Sequence, residues 1–477
     1  MKDAIFRPIL VGSALTASLG GLLFGYDTAV IAGAVGALDA FFIKPQSDLG
    51  QGMSSALLGF VVSSALLGCV LGSVFGGLVS ARLGRRGGLK LAACCFLVSA
   101  LGSAAPEFLF APIGKGGAEH LYHFVFYRVL GGFGVGLASM IAPMYIAEVS
   151  PARYRGMLVT GYQMAIVIGI VLVYFVNYAI AVAGDGDQWL NSVGWRYMFL
   201  SEAFPAAAFF ALLFFVPESP RHFFVKGEEA KGEKILLKLL TREELEEERS
   251  KIREFVITEN RPRNLFSFGY RLILLGVFLA SLQQWVGVNA VLYYAPEIFK
   301  NLGVDKNTSL FQTILVGAVN MVFTIVALLT VDRLGRRPLL IAGGAIMSAS
   351  MLLLGCSFYF DASSLLALLS MLGFMAGFSL SWGPVVWVLL SEIFPNEVRG
   401  QLMAVAVTAM WISNYVVSST FPIMDQNQTL TDLFNHGFSY WVYGLVCVVA
   451  AVFVYLFVPE TKGKTLEEME TLWKISQ

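Results

Sequence analysis

RLGRR, Arg82 to Arg86, separates two long apolar runs, and the same five letters return at Arg333 to Arg337 between two others, 251 residues later. AEVSPARYRG at 147–156 comes back as SEIFPNEVRG at 391–400, an offset of 244. PESPR at 217–221 comes back as PETKG at 459–463, an offset of 242. Three matches in one order at nearly one offset describe a duplicated chain. Each polar motif also follows the corresponding apolar run of its half: the second, the fourth and the sixth.

The apolar runs have the length of membrane spans. A helix needs about 20 mostly apolar residues to cross the hydrocarbon. Such stretches fall near 9–30, 56–80, 89–106, 121–147, 157–182 and 196–216, then near 269–298, 310–331, 338–359, 364–390, 400–422 and 438–458. Helices are required because lipid offers backbone groups no hydrogen-bond partner. The expected fold is all-α and membrane-embedded: 12 spans in two six-helix bundles, a parallel repeat of the kind found in one large transporter class. The expected limits are 1–221 for the first bundle, 222–268 for a linker, 269–458 for the second bundle and 459–477 for a tail.

Composition agrees. Of 477 residues 57% are hydrophobic and 14% charged, with a mean hydropathy of +0.70. Soluble domains carry about a quarter charged residues. Lys and Arg (33) balance Asp and Glu (33), so no basic field points to nucleic acid. Cys69, Cys94, Cys95, Cys356 and Cys447 lie in apolar runs without CxxC spacing, which argues against a disulfide framework or a zinc site. His120, His123, His222 and His436 make no metal set, and no cofactor is implied. Gly68, Gly72 and Gly76, and Gly132 with Gly136, recur every four residues, the spacing of close helix packing. GGFGVG at 131–136 has no strand before it and is read as packing too. No GxxxxGK[ST] is present to drive transport with ATP, and no nucleophile–base set suggests an enzyme.

Basic residues set the orientation. Arg82, Arg85, Arg86 and Lys90, then Arg153 and Arg155, then Arg333, Arg336 and Arg337 fall between spans on one side, placing both termini and the middle segment in the cytoplasm. The middle segment reads as soluble helix from Gly227 to Glu254, either a solvated linker or a packed cap.

Charges within spans are costly and therefore informative. Asp27, Arg128 and Glu202 fall at similar depth in spans one, four and six, so a carboxylate–arginine pair is expected. Such a pair either fixes packing or carries a proton. A second set is polar but uncharged: Gln163, Gln283, Gln284, Asn289, Tyr293 and Asn320, with Trp387 and Trp411. Amides both donate and accept, as a polyhydroxyl ligand requires, and aromatic faces suit a sugar ring.

RLGRR twice, PESPR, PETKG, GGLLFGYD at 20–27 and QQWVGVNAVLYYAP at 283–296 together resemble the sugar porter family of the major facilitator superfamily. SWGPVVWVLLSEIFP at 381–395 is most similar to the bacterial D-xylose–proton symporters within it. The resemblance implies a proton-coupled monosaccharide symporter of a bacterial inner membrane, monomeric and working by alternating access. A sugar facilitator and a non-transporting sugar sensor are the alternatives. It gives Asp27, with Arg128 and Glu202, to proton coupling. It gives Gln163, Gln283, Gln284, Asn289, Asn320, Trp387 and Trp411 to sugar contact, and Phe24, Tyr293 and Gly383 to lining or closing the site. Arg82, Arg85, Arg86, Glu148, Arg155, Glu218, Arg221, Arg333, Arg336, Arg337, Glu392, Arg399 and Glu460 form the expected cytoplasmic network that latches an outward-open state. One position departs: xylose symporters of this type carry glutamine before the span-eleven tryptophan, where this chain has Met410.

Overall fold

A computed structural model describes the chain except residues 1–7, 47–49, 109, 114–115, 185, 240–244, 246–248, 250–251, 253–267, 396–397 and 463–477, and the side chains of 152, 153 and 332. Among the described residues every regular element is a helix. The first half contains α1 (Pro8–Leu38), α2 (Gln51–Ala104), α3 (Leu121–Val149), α4 (Ala152–Ala183), α5 (Trp195–Leu200) and α6 (Ala203–Leu212). Two short helices follow, α7 (Pro220–Val225) and α8 (Glu229–Leu239). The second half contains α9 (Tyr270–Trp285), α10 (Val288–Asn301), α11 (Lys306–Leu334), α12 (Arg336–Tyr359), α13 (Ser364–Leu380), α14 (Trp382–Ile393), α15 (Arg399–Asp425) and α16 (Phe438–Phe457).

Ten helical stretches among the described residues are long and apolar enough to cross a bilayer, counting α9 with α10 and α13 with α14 as one stretch each. Two features separate ten from the expected twelve. The 54 residues of α2 would extend about 80 Å at 1.5 Å each, far beyond a hydrocarbon core of about 30 Å. Gly84, at φ +81° and ψ 175°, breaks it within the first RLGRR. The sixth run is divided at Ser201 and Glu202, leaving two helices each too short to cross alone.

Two expected single spans are also broken. The seventh turns at Gly287 (φ +91°), between α9 and α10. The tenth turns at Ser381, between α13 and α14. Both breaks fall beside the polar residues singled out above, where backbone groups leave the helical ladder and become available to side chains. Of the expected helix from Gly227 to Glu254, α8 is present, and most of the rest lies outside the described residues.

The glycine repeats do pack helices. A Cβ on Gly68 would lie 1.9 Å from the Val129 carbonyl oxygen, and one on Gly132 would lie 1.7 Å from that of Ala65. Only glycine lets α2 and α3 approach this closely.

The halves meet at the end of the molecule remote from the arginine turns. The Gln51 amide donates to the Gln426 carbonyl (2.9 Å), and the Ser55 hydroxyl to the Gln426 side chain (2.8 Å). Lys306 pairs with Asp187 at 3.0 Å, and the Tyr174 hydroxyl donates to the Leu292 carbonyl at 2.7 Å. Between the halves near this end a cavity of ≈ 620 Å³ is bordered by Asp39, Lys44, Gln51, Ser55, Gln426 and His436.

Candidate functional site

Three charges from three helices converge inside the first half. Asp27 on α1 and Glu202 before α6 are 0% exposed, and Arg128 on α3 is 1% exposed. Arg128 donates to Asp27 Oδ1 at 2.7 Å and to the Asp27 carbonyl oxygen at 3.0 Å. Phe199 covers the guanidinium, 5.2 Å from ring centroid to carbon. The Glu202 carboxyl lies within electrostatic reach of both partners. Among the described residues, Asp27 Oδ2 and both Glu202 oxygens have no hydrogen-bond donor. The pair expected from matching depth is therefore present, with a second carboxyl beside it. Two carboxylates against one guanidinium leave an excess negative charge out of water, which a single bound proton removes.

The amides gather in the second half, at the two helix breaks. Gln283 donates to the carbonyls of Trp382 (2.9 Å) and Gly383 (3.1 Å), in the first turn of α14 after the break. Gln284 donates to Gln283 Oε1 (3.3 Å), and Asn289 to Gln284 Oε1 (2.5 Å). Asn320 accepts from Ser379 (2.7 Å) and Thr324 (3.4 Å). Phe24 of α1 reaches across to Trp411 of α15 with ring centroids 5.5 Å apart. Trp411 is buried, and its indole N–H has no acceptor. Trp387 and Gln163 are half-buried, and Gln163 has no partner among the described residues. Tyr293 is buried on α10. Met410 is buried beside Trp411.

The arginine network is duplicated almost bond for bond. Arg85 pairs with Glu148 at 2.8 Å, and Arg336 with Glu392 at 2.8 Å. Glu218 accepts the backbone N–H groups of Arg85 (2.8 Å) and Arg86 (3.1 Å), and Glu460 those of Arg336 and Arg337 (both 3.1 Å). Ser219 donates to Glu148, and Thr461 to Glu392. Gly84 and Gly335 (φ +91°) sit at the turns, and a Cβ on either would meet the Glu218 or Glu460 carboxylate. Burial opposes ionisation of Glu460, but its four backbone N–H donors outweigh burial and hold the carboxyl below its ordinary value. Arg86 donates to the Val216 carbonyl (3.1 Å), Arg155 to Ala147 (2.9 Å), Arg399 to Phe394 (3.2 Å) and Arg337 to Tyr455. Arg221 is half-buried on α7, whereas the side chains of Arg82 and Arg333 are exposed. The ion pairs Arg85–Glu148 and Arg336–Glu392 each stay within one half. At this end they brace the bundles separately, while the opposite end joins them.

Sequence reasoning missed a second buried ion pair, Arg196 to Glu107 at 2.8 Å, with side chains 7% and 1% exposed. A charge at the start of the sixth apolar run was its signal. Among the described residues no group of three His, Cys, Asp or Glu side chains could hold a metal ion.

The family model for sugar (and other) transporters matches residues 13–473. The D-xylose–proton symporter of Escherichia coli is 51% identical over 470 residues, covering 96% of this chain and 95% of that one. The glucose facilitated diffusion protein of Zymomonas mobilis is 43% identical, covering 99% of each. A partially occluded inward open structure of the E. coli xylose transporter superposes with a TM-score of 0.87 at 48% identity, covering 96% of this chain and 100% of that one. The same transporter bound to 6-bromo-6-deoxy-D-glucose gives 0.84 at 50% identity, covering 98% and 99%. With its duplicated bundles, its doubled arginine turns and these matches along nearly its whole length, the chain belongs to the sugar transporter family, in the major facilitator fold.

Proposed function

We propose that this protein couples uptake of a monosaccharide, D-xylose or a related pentose or hexose, to proton entry across a bacterial inner membrane. The observation that carries the reading is the buried Asp27–Arg128–Glu202 site, a protonatable group set that passive diffusion has no use for. The arginine turns face the cytoplasm under the positive-inside rule. With the opposite end joined, the structure is then inward-facing, in keeping with its likeness to inward open xylose transporter structures.

The coupling has a short physical path. Phe24 and Asp27 lie three residues apart on α1, almost one turn. Asp27 is tied to Arg128 within its own half, while Phe24 packs on Trp411 of the other. A proton taken up by the carboxyl pair weakens the hold of Arg128 on α1. The released helix moves Phe24 against the sugar site. The amides at the two helix breaks and the acceptor-less indole of Trp411 supply donors for a hydroxyl-rich ring, which rests against Trp387 and Trp411. The half-to-half network of the arginine turns forms in the outward-open state. The protein acts as a monomer in lipid.

A facilitator of the same fold is the second reading, favoured by the 43% identity to a protein named for facilitated diffusion. Uptake of labelled pentoses and hexoses into proteoliposomes, with and without an imposed proton gradient, tests both. Concentration of one sugar above equilibrium only when protons flow inward is expected. Uptake that stops at equilibrium under either condition overturns coupling in favour of diffusion.

A further inference from the structure

Beyond the carboxyl pair itself, two buried serines of the α2 segment that follows Gly84 depart from the usual pattern of buried hydroxyls, as Ser439 on α16 also does. Buried hydroxyls in these helices ordinarily donate to a carbonyl one turn back: Ser13 to Ile9 (2.6 Å), Ser63 to Gly59 (2.7 Å), Ser381 to Gly377 (2.6 Å). Ser99 and Ser103 do not. Both are 0% exposed, and both hydroxyls are without a partner among the described residues. Four residues apart, they share one face of the helix.

That face leads to the carboxyl pair. A Cβ built on Gly131 of α3 would lie 2.4 Å from Ser99 Oγ and 3.1 Å from Asp27 Oδ1, so hydroxyl and carboxylate flank one spot that glycine leaves free of side-chain atoms. Just past the end of α2 stands Glu107, 0% exposed and paired with Arg196, which also donates to the Ala104 carbonyl, next to Ser103. Arg196 Nε and Nη2 are buried without a partner. Ser103 to Ser99 is one turn, a rise of about 6 Å along the helix, which one bridging water closes with two hydrogen bonds of about 2.8 Å, and Arg196 ties Glu107 to the carbonyl beside Ser103. A buried water needs two to four polar partners, which these orphaned groups provide.

We infer that Ser103 and Ser99 form a water-bridged proton relay through the first bundle, from the Glu107–Arg196 pair at its outer end to Asp27 and Glu202. The inference rests on the coupled reading above. It gives the proton a route apart from the one the sugar takes between the halves. At each step a hydroxyl accepts a proton from the outer water and passes its own to the inner one. One proton moves inward, and each hydroxyl is left intact with its orientation reversed. Ser99 and Ser103 are relay residues; Asp27 and Glu202 hold the proton.

The test uses purified Ser99→Ala, Ser103→Ala and Ser99→Thr in proteoliposomes, with radiolabelled D-xylose as probe. Two rates are read: accumulation driven by an inward proton gradient, and counterflow exchange with no gradient. Each alanine variant should slow driven accumulation about fivefold or more while counterflow stays near wild type; Ser99→Thr, which keeps the hydroxyl, should recover most of the driven rate. Driven rates equal to wild type in both alanine variants overturn the relay. Loss of counterflow in parallel also overturns it, because that marks a packing role, and so does a threonine variant as slow as alanine. A wild type indifferent to the gradient ends both the relay and the coupled reading, and that failure is visible without any variant.

Discussion

The two halves repeat one another where they are mechanical and differ where they are chemical. At the arginine end, glycine, arginine, the two carboxylates and even the hydroxyl that donates to one of them occupy equivalent places: Gly84 and Gly335, Arg85 and Arg336, Glu148 and Glu392, Glu218 and Glu460, Ser219 and Thr461. Away from that end the likeness stops. The first half buries Asp27, Arg128 and Glu202 and closes around them. The second half breaks two of its helices and fills the breaks with amides. A rocking movement needs matching braces in both bundles. A charge needs exclusion from water and a fixed partner, whereas a hydroxylated ligand needs donors and acceptors at a surface it can reach. One bundle cannot easily supply both, and the duplication lets each supply one.

Asp27→Asn puts the largest strain on this division. The amide imitates the neutral carboxyl permanently, so sugar binding and counterflow should persist while accumulation against a gradient disappears. A pair that serves only packing gives a different result, since an uncompensated Arg128 costs about 3–5 kcal/mol and the protein unfolds earlier. Thermal unfolding, sugar binding and driven uptake measured on one preparation separate the two. A stable variant that still concentrates sugar breaks the assignment of the proton to the first half.

Next in size is the amide comparison. Gln283→Ala removes a side chain that serves both the site and the carbonyls of Trp382 and Gly383, and should weaken sugar binding about tenfold, as the loss of about 1.4 kcal/mol would. Gln163→Ala, in the first half, removes one exchangeable contact and should cost about two- to threefold. Calorimetry decides the order. A larger loss at Gln163 would move the centre of sugar recognition into the half assigned to the proton.

The duplicated braces predict equality. Arg85→Ala and Arg336→Ala each delete one brace, and each should lower stability by about 1 kcal/mol and slow uptake by a similar factor. Melting temperature and initial uptake rate are the readouts. A severalfold difference between the two variants would show that the halves are not mechanical equivalents.

The smallest effect belongs to the far end, where the second half places a half-buried histidine against a carboxylate. His436 lies 3.2 Å from Asp425. Its hydrogen bond to that carboxylate outweighs burial and raises the imidazole above its ordinary pKa. A raised folded-state pKa contributes stability that is fully present below about pH 6.5 and is lost as pH climbs through the folded value. Relative to His436→Gln, the wild type should therefore melt higher at pH 6 and lose that advantage by pH 8. An advantage that grows with pH would reverse the sign and remove the pair.

Much of this was legible because the membrane makes certain residues expensive. Asp27, Arg128 and Glu202 stood out against apolar surroundings, and their depth along straight helices forecast that they meet. The amides were conspicuous for the same reason. The breaks at Gly287 and Ser381 were hidden, because a hydrophobic run reads the same whether its helix is whole or interrupted. Ser99 and Ser103 were hidden too: a serine that donates to its own helix and one left unpartnered are the same letter.

From the sequence alone came the duplication, the membrane, the helical spans and the identity of the costly polar residues. These follow from composition and spacing, which depend on the chain's local chemistry. The tertiary structure decided which of those residues touch: that Arg128 binds Asp27 with Glu202 beside them, that Gln283 binds the first turn of a helix about 100 residues away, and that, among the described residues, the hydrogen bonds and ion pair between the halves gather at one end. Such facts depend on the relative placement of distant helices, and two placements of the same bundles, one for each side of the membrane, satisfy the same sequence.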